Sequence, residues 1–172
     1  MKNIFAIFAL FIGLYSYADD FTEFGIGYSD YDISGFSADS ISVGYGQQSD
    51  NLRFSFNIGE LDVLGSSTTI WTTGIDYGFG DWEAGTFYAG IGYTDSDLGD
   101  GGDALYDIGY RRSASSGTNY YISIVDCFSD CGSDAAIGTG FSFDVGGGNW
   151  LGLGYASDDV ADVISVSYSK RW

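Results

Sequence analysis

From residue 21 onward, apolar and polar positions alternate with a period of two almost without interruption. ISVGYGQ (41–47), FSFNI (54–58) and ISIVD (122–126) are typical segments. Alternation of this kind puts one set of side chains on one face of a strand and the other set on the opposite face. It predicts ten strands, at about 21–32, 40–47, 51–64, 68–79, 82–95, 103–113, 118–127, 135–145, 149–158 and 162–172, with eight as the alternative count. QSDN (48–51), GD (80–81) and GGGN (146–149) are tight-turn chemistry, because their residues tolerate positive φ. SASSGT (113–118) is slightly longer. The connections between these, ISGFSAD (33–39), GSS (65–67), SDLGDGGD (96–103), FSDCGSD (128–134) and DDVAD (158–162), are mostly longer and rich in Asp.

A unit recurs within this pattern: FGIGYSD (24–30), AGIGYTD (89–95) and LGLGYASD (151–158). Gly25 and Gly90 are 65 residues apart, Gly90 and Gly152 62 apart. Copies in one orientation must be an even number of strands apart. Four strands per interval gives roughly sixteen residues per strand and link, close to membrane-crossing strands joined by short connections. The copies then fall on the first, fifth and ninth strands. No helix follows the GxG steps, so they are not a phosphate-binding loop.

The apolar face carries Phe24, Ile26 and Tyr28; Ile41, Val43 and Tyr45; Phe54, Phe56 and Ile58; Phe87, Ala89, Ile91 and Tyr93; Tyr106, Ile108 and Tyr110. It continues with Ile137, Phe141 and Phe143; Leu151, Leu153 and Tyr155; and Ile164, Val166 and Tyr168. The other face is Gly, Ser, Thr and a few charges. A soluble sandwich with its apolar faces turned inward would show the same alternation. Three features favour a barrel in a membrane. Aromatic residues stand in two tiers, Trp82, Tyr120, Trp150 and Trp172 near one end and Tyr28, Tyr93, Tyr106 and Tyr155 near the other, as in interfacial girdles. The last strand, ISVSYSKRW, finishes on an aromatic residue, Trp172. The glycine-rich faces suit a narrow lumen.

Composition narrows this further. MKNIFAIFALFIGLYSYA has a positive start at Lys2, an apolar run from Ile4 to Tyr15, and small residues at Ser16 and Ala18. It reads as a secretory signal peptide, residues 1–18, ahead of a barrel at 19–172. Losing Lys2 with that leader takes the formal charge from −18 to −19. So acidic a chain is a poor nucleic-acid binder, which would need clustered Lys and Arg. The two cysteines, Cys127 and Cys131, are expected to form a disulfide in an exported chain. With no histidine, neither a zinc site nor the usual histidine base of membrane hydrolases is expected, and no residue is assigned a catalytic role. No cofactor is expected.

The alternation, the repeated GxGY strands and the terminal Trp172 together resemble the small outer-membrane β-barrel proteins of Gram-negative bacteria, the opacity-like and porin-like families. The resemblance spans residues 19–172. It implies an all-β, antiparallel, up-and-down transmembrane β-barrel in the cell outer membrane. It also implies contact with outer-membrane lipids and lipopolysaccharide, and recognition of the C-terminal strand by the barrel-assembly machinery.

Alternation places Glu23, Asp76, Asp107 and Asp144 inside the barrel with Arg53, Arg111 and Arg171. Buried charges must be paired or hydrated, so these either plug the lumen or line a narrow path for small solutes or ions. Porin-like passage is the first expectation. A plugged barrel whose acidic loops contact lipopolysaccharide or other cells is the second. Asp95, Asp97, Asp100 and Asp103 could form a diffuse rim for divalent cations, although they lack the ordered spacing of an EF-hand.

Overall fold

A computed structural model of the chain describes residues 21–81, 84–97, 101–114, 117–129 and 134–172. The expected signal peptide lies outside the described residues. The strands are β1 (Phe21–Ile33), β2 (Phe36–Ser49), β3 (Leu52–Val63), β4 (Ser66–Gly78), β5 (Thr86–Ser96), β6 (Asp103–Ala114), β7 (Thr118–Cys127), β8 (Ala136–Gly146), β9 (Asn149–Ser157) and β10 (Ala161–Arg171). Each pairs antiparallel with its neighbours in sequence, and β1 pairs with β10 to close the barrel. The ten-stranded meander is therefore present, and every backbone edge is satisfied by closure. The seam runs from Ile33 opposite Ala161 to Glu23 opposite Arg171. It continues past that point, because Thr22 and Trp172 exchange both backbone hydrogen bonds, at 3.0 and 3.1 Å.

One end of the barrel, the terminal end, carries both ends of the barrel segment. The other, the distal end, carries the connections after the odd-numbered strands. The tight turns and the longer connections expected between them do not sort cleanly to opposite ends. At the distal end, β1 passes to β2 through Ser34 and Gly35 alone, with φ of 34° and 106°. There β3 passes to β4 through Leu64 and Gly65, at 55° and 78°. Two successive positive φ values match the right-handed twist of the flanking strands, so the chain reverses in two residues. Hence β2 starts at Phe36, four residues before the expected start, and Ala38 points into the core. Conversely, the GD step at 80–81 is no tight turn: residues 79–85 connect β4 to β5, which begins at Thr86. Asp39, expected in the connection at 33–39, lies within β2 instead.

The apolar set faces outward. Phe24, Ile26, Ile41, Phe54, Phe87, Ile91, Ile108, Ile122, Ile137, Phe141, Leu153 and Ile164 are all exposed, forming a belt around the wall. The glycine and small polar set faces the lumen, which divides into two halves. The distal half is filled by a buried apolar cluster: Tyr31, Ile33, Ala38, Leu61, Ile70, Leu105, Val125, Cys127, Ala136, Ala156, Ala161 and Val163. Every strand except β5 contributes to it. The terminal half is polar and holds the buried charges.

Candidate lumenal charge network

Three neighbouring strands build the centre of the polar half. Asp76 on β4 and Asp107 on β6 both stand beside Gly90 of β5 in the strand register. A Cβ at Gly90 would press on Oδ1 of both carboxylates and on the Ile75 carbonyl oxygen, 3.1 Å away. The glycine opens the space in which two acids from different strands meet. This is the second copy of the repeated unit, so here the repeat has a specific packing role.

Two arginines answer these acids. Arg111 Nη1 donates to Asp76 Oδ2 at 3.3 Å, and Arg53 Nη1 lies 3.6 Å from the same oxygen. Both arginines are only 1% exposed. The Arg111 guanidinium also lies 4.0 Å from the centre of the Tyr88 ring and 6.0 Å from that of Tyr121, within reach for cation–π attraction. Tyr88 in turn covers Gly109, where a Cβ would come within 2.6 Å of its ring. Asp107 and Arg111 share a strand face, yet Arg111 pairs across β5 with Asp76, since residues four apart on a strand are about 13 Å apart.

A second pair sits nearer the terminal end. Glu23 is fully buried and accepts from Arg171 Nη2 at 3.2 Å, directly across the closing seam. The Arg171 guanidinium lies 4.0 Å from the Phe21 ring centre and 4.6 Å from that of Trp150. Asp76 thus takes two arginines and Glu23 the third, with Asp107 beside Asp76. Pairing is what burial demands, because an unpaired charge out of water costs several kcal/mol.

Between the two halves lies a cavity of about 40 Å³, lined by Ser55, Asp76, Tyr88, Asp107, Arg111 and Ser123 among others. That is room for a few waters, and its polar walls would hold them.

Six of the seven expected lumenal charges come together in this way. Asp144 does not join them. It is exposed at the terminal end, where its Oδ1 accepts from the Gly146 backbone N–H at 2.7 Å and shapes its own turn. Trp150 departs from the expected aromatic tier. Leu151 and Leu153 hold the outward face of β9, which turns Trp150 inward onto Arg171. The same parity rule places Phe21, Tyr88 and Tyr121 inward, but composition alone does not mark them as cation partners. Trp82 lies outside the described residues.

The expected cation rim does not converge. Asp95 is half-buried and accepts from the Ser96 backbone N–H at 2.8 Å. Asp97 accepts from Thr68 Oγ1 at 2.9 Å and from the Thr69 backbone N–H at 2.6 Å, which tie the start of the β5–β6 connection to β4. The Thr68 hydroxyl, aided by these backbone groups, holds the Asp97 carboxyl below the usual carboxylate range. Asp103 begins β6 on the lumenal side, and Asp100 lies outside the described residues. Among the described residues, no three carboxylates gather to hold a metal ion. Cys127 is buried at the end of β7, while its expected partner Cys131 lies outside the described residues.

No family model matches the chain, and no curated protein matches it. Solved structures do. A de novo designed transmembrane β-barrel aligns with a TM-score of 0.54 at 8% identity, covering 92% of this chain and 100% of the design. The N-terminal β-barrel domain of Pseudomonas aeruginosa OprF aligns at 0.47 and 10% identity, covering 90% and 98%. Neisserial surface protein A aligns at 0.41 and 14% identity, covering 90% and 96%. These are likenesses of fold: the chain is similar to closed transmembrane barrels.

Proposed function

We propose that this protein is an outer-membrane β-barrel with a filled lumen, acting as a structural and surface-contact protein and not as an open pore. The observation that carries this reading is the buried apolar cluster occupying the distal half of the lumen, with side chains from nine strands. A hydrated solute path would have to displace it. The paired charges of the terminal half fill the remainder.

The membrane location is supported by the exposed apolar belt. Soluble proteins rarely expose contiguous patches beyond a few hundred Å², and this belt runs around the whole wall. Tyr28, Tyr93 and Tyr155 at the distal end and Tyr120 and Trp172 at the terminal end are exposed where interfacial girdles belong. Both barrel ends of the chain then lie in the periplasm, with β10 as the segment offered to the barrel-assembly machinery. Heat-modifiable migration of the protein from an outer-membrane fraction tests the location. Planar-bilayer recording tests the filling, with no steps above background expected. Stable unitary steps would instead favour porin-like passage of small ions through the cavity beside Asp107.

The distal rim supplies the contact surface. Asp30 stands opposite Asp39, Asp39 opposite Asp62, and Asp32 opposite Asp162, all on the outer face of β10, β1, β2 and β3. Like charges directly opposed destabilise a sheet, and divalent cations shared with lipopolysaccharide phosphates would relieve them. Millimolar calcium should therefore raise the unfolding temperature in detergent, and no shift would remove the cation bridge.

A further inference from the structure

The outward wall of β4 and β5 differs from the rest of the belt. Ala89 and Gly90 form the floor of a groove of about 280 Å³, bounded by Leu52, Ile75, Asp76, Tyr77 and Ile91. Ala89 is the small residue in a row of large ones: Phe87 and Ile91 flank it along β5, and Tyr77 and Ile108 stand opposite it on β4 and β6. Aromatic pairs stand on both sides toward the terminal end. Tyr77 meets Phe79 at 5.4 Å between ring centres, and Phe87 meets Tyr110 at 5.2 Å.

Just beyond the second pair is a cation. Arg112 follows Arg111, which is paired with Thr86, so its own level is that of residue 85, four residues from Ala89. Along the strand this is about 13 Å, which at a barrel-strand tilt of about 40° is about 10 Å of membrane depth, within the reach of an acyl chain from its own phosphate. Arg112 is exposed, on the outward face of β6, and makes no ion pair with any described residue. The groove is largely apolar and lies in the terminal half of the wall, where Leu52 opens β3 and Tyr77 stands one residue from the end of β4. Arg112 lies two residues from the end of β6, toward the same interface.

We propose that this wall binds one phospholipid of the periplasmic leaflet, with an acyl chain in the Ala89 groove and its phosphate against Arg112. The proposal rests on the membrane reading above. Apolar depth and charge are matched along one line, as a lipid's own chain and headgroup are. A second copy of this chain fits less well, since its belt would bring large side chains against the Ala89 groove where an acyl chain is narrow.

Native mass spectrometry of the full barrel, released from detergent after titration with phosphatidylglycerol, tests this. One retained lipid is expected. Ala89→Phe fills the groove and Arg112→Gln removes the charge-assisted contact, so each should lower the retained fraction about tenfold. Lys170→Gln, which changes an exposed cation on β10, should leave retention unchanged. Equal loss in all three variants, or retention unaffected by the first two, overturns the site. A barrel that enters vesicles and shows heat-modifiable migration but keeps no lipid overturns the site alone. Failure to enter vesicles overturns the membrane reading beneath it as well. A discrete dimer in place of a retained lipid would assign the groove to a second copy.

Discussion

Asp76 is the residue whose neutralisation should cost the fold most. Its Oδ2 faces Arg111 at 3.3 Å and Arg53 at 3.6 Å, and both guanidiniums are almost fully buried. Asp76→Asn keeps the shape and removes the charge, leaving two buried cations with Asp107 as their nearby acid. Breaking a buried pair by removing one partner costs about 3–5 kcal/mol, because the other charge stays desolvated. Here two cations lose a shared partner, so the upper part of that range applies. The assay is reversible urea unfolding of the barrel in lipid vesicles, followed by tryptophan fluorescence. With an m-value of about 1–3 kcal/mol/M, the midpoint should fall by at least about 1 M. Arg111→Met should also destabilise, and the double variant should lose less than the two single losses together, since it removes a cation along with the anion. A loss below about 1 kcal/mol for Asp76→Asn, with additive singles, would mean that water compensates the network, and the packed-lumen reasoning would fail.

Gly90→Ala should destabilise by about 1–3 kcal/mol, as overpacking does, because the new methyl meets the Asp107 carboxylate and the Asp76 carboxylate, the latter held by Arg53 and Arg111. Gly46→Ala, whose Cβ would have no neighbour nearer than 4.0 Å, should be neutral or slightly stabilising in the same urea titration. Leu61→Ala in the distal cluster should cost about 2–5 kcal/mol and, paired with Ile70→Ala, should introduce bilayer conductance if that cluster is what fills the lumen. The Asp97 carboxyl is held low in the folded state, so its contribution is present above the ordinary carboxylate pKa and fades as pH falls through the folded value. Wild type should therefore lose stability between neutral pH and pH 3 more steeply than Asp97→Asn, and parallel curves would show that the Thr68 contact adds nothing. A Cys127–Cys131 bridge would close a ring of about five residues and add about 2 kcal/mol by the chain-entropy relation. Mass spectrometry should find both thiols protected from alkylation without reductant, and labelling of either would exclude the bridge.

The strand count, the up-and-down order and the two faces of the wall are legible in the alternation along the chain. Period-two alternation is a local property, and Phe24, Ile26 and Tyr28 point one way whatever they pack against. It also named six charges that meet inside, because parity alone sends Glu23, Arg53, Asp76, Asp107, Arg111 and Arg171 to one side of the wall. Closure of the barrel decided which of them pair. Arg111 finds Asp76 over β5, and Glu23 finds Arg171 across a seam joining residues 148 apart in sequence, because strand neighbours and shear bring them to one level. Turn length is set by backbone conformation and not by composition: Ser34–Gly35 reverses the chain in two residues, and Gly80–Asp81 does not. The filling of the distal lumen belongs to tertiary structure too. Ala38, Leu61, Ile70 and Val125 are unremarkable on their own strands. They become one core only when ten strands curl until their inner faces touch.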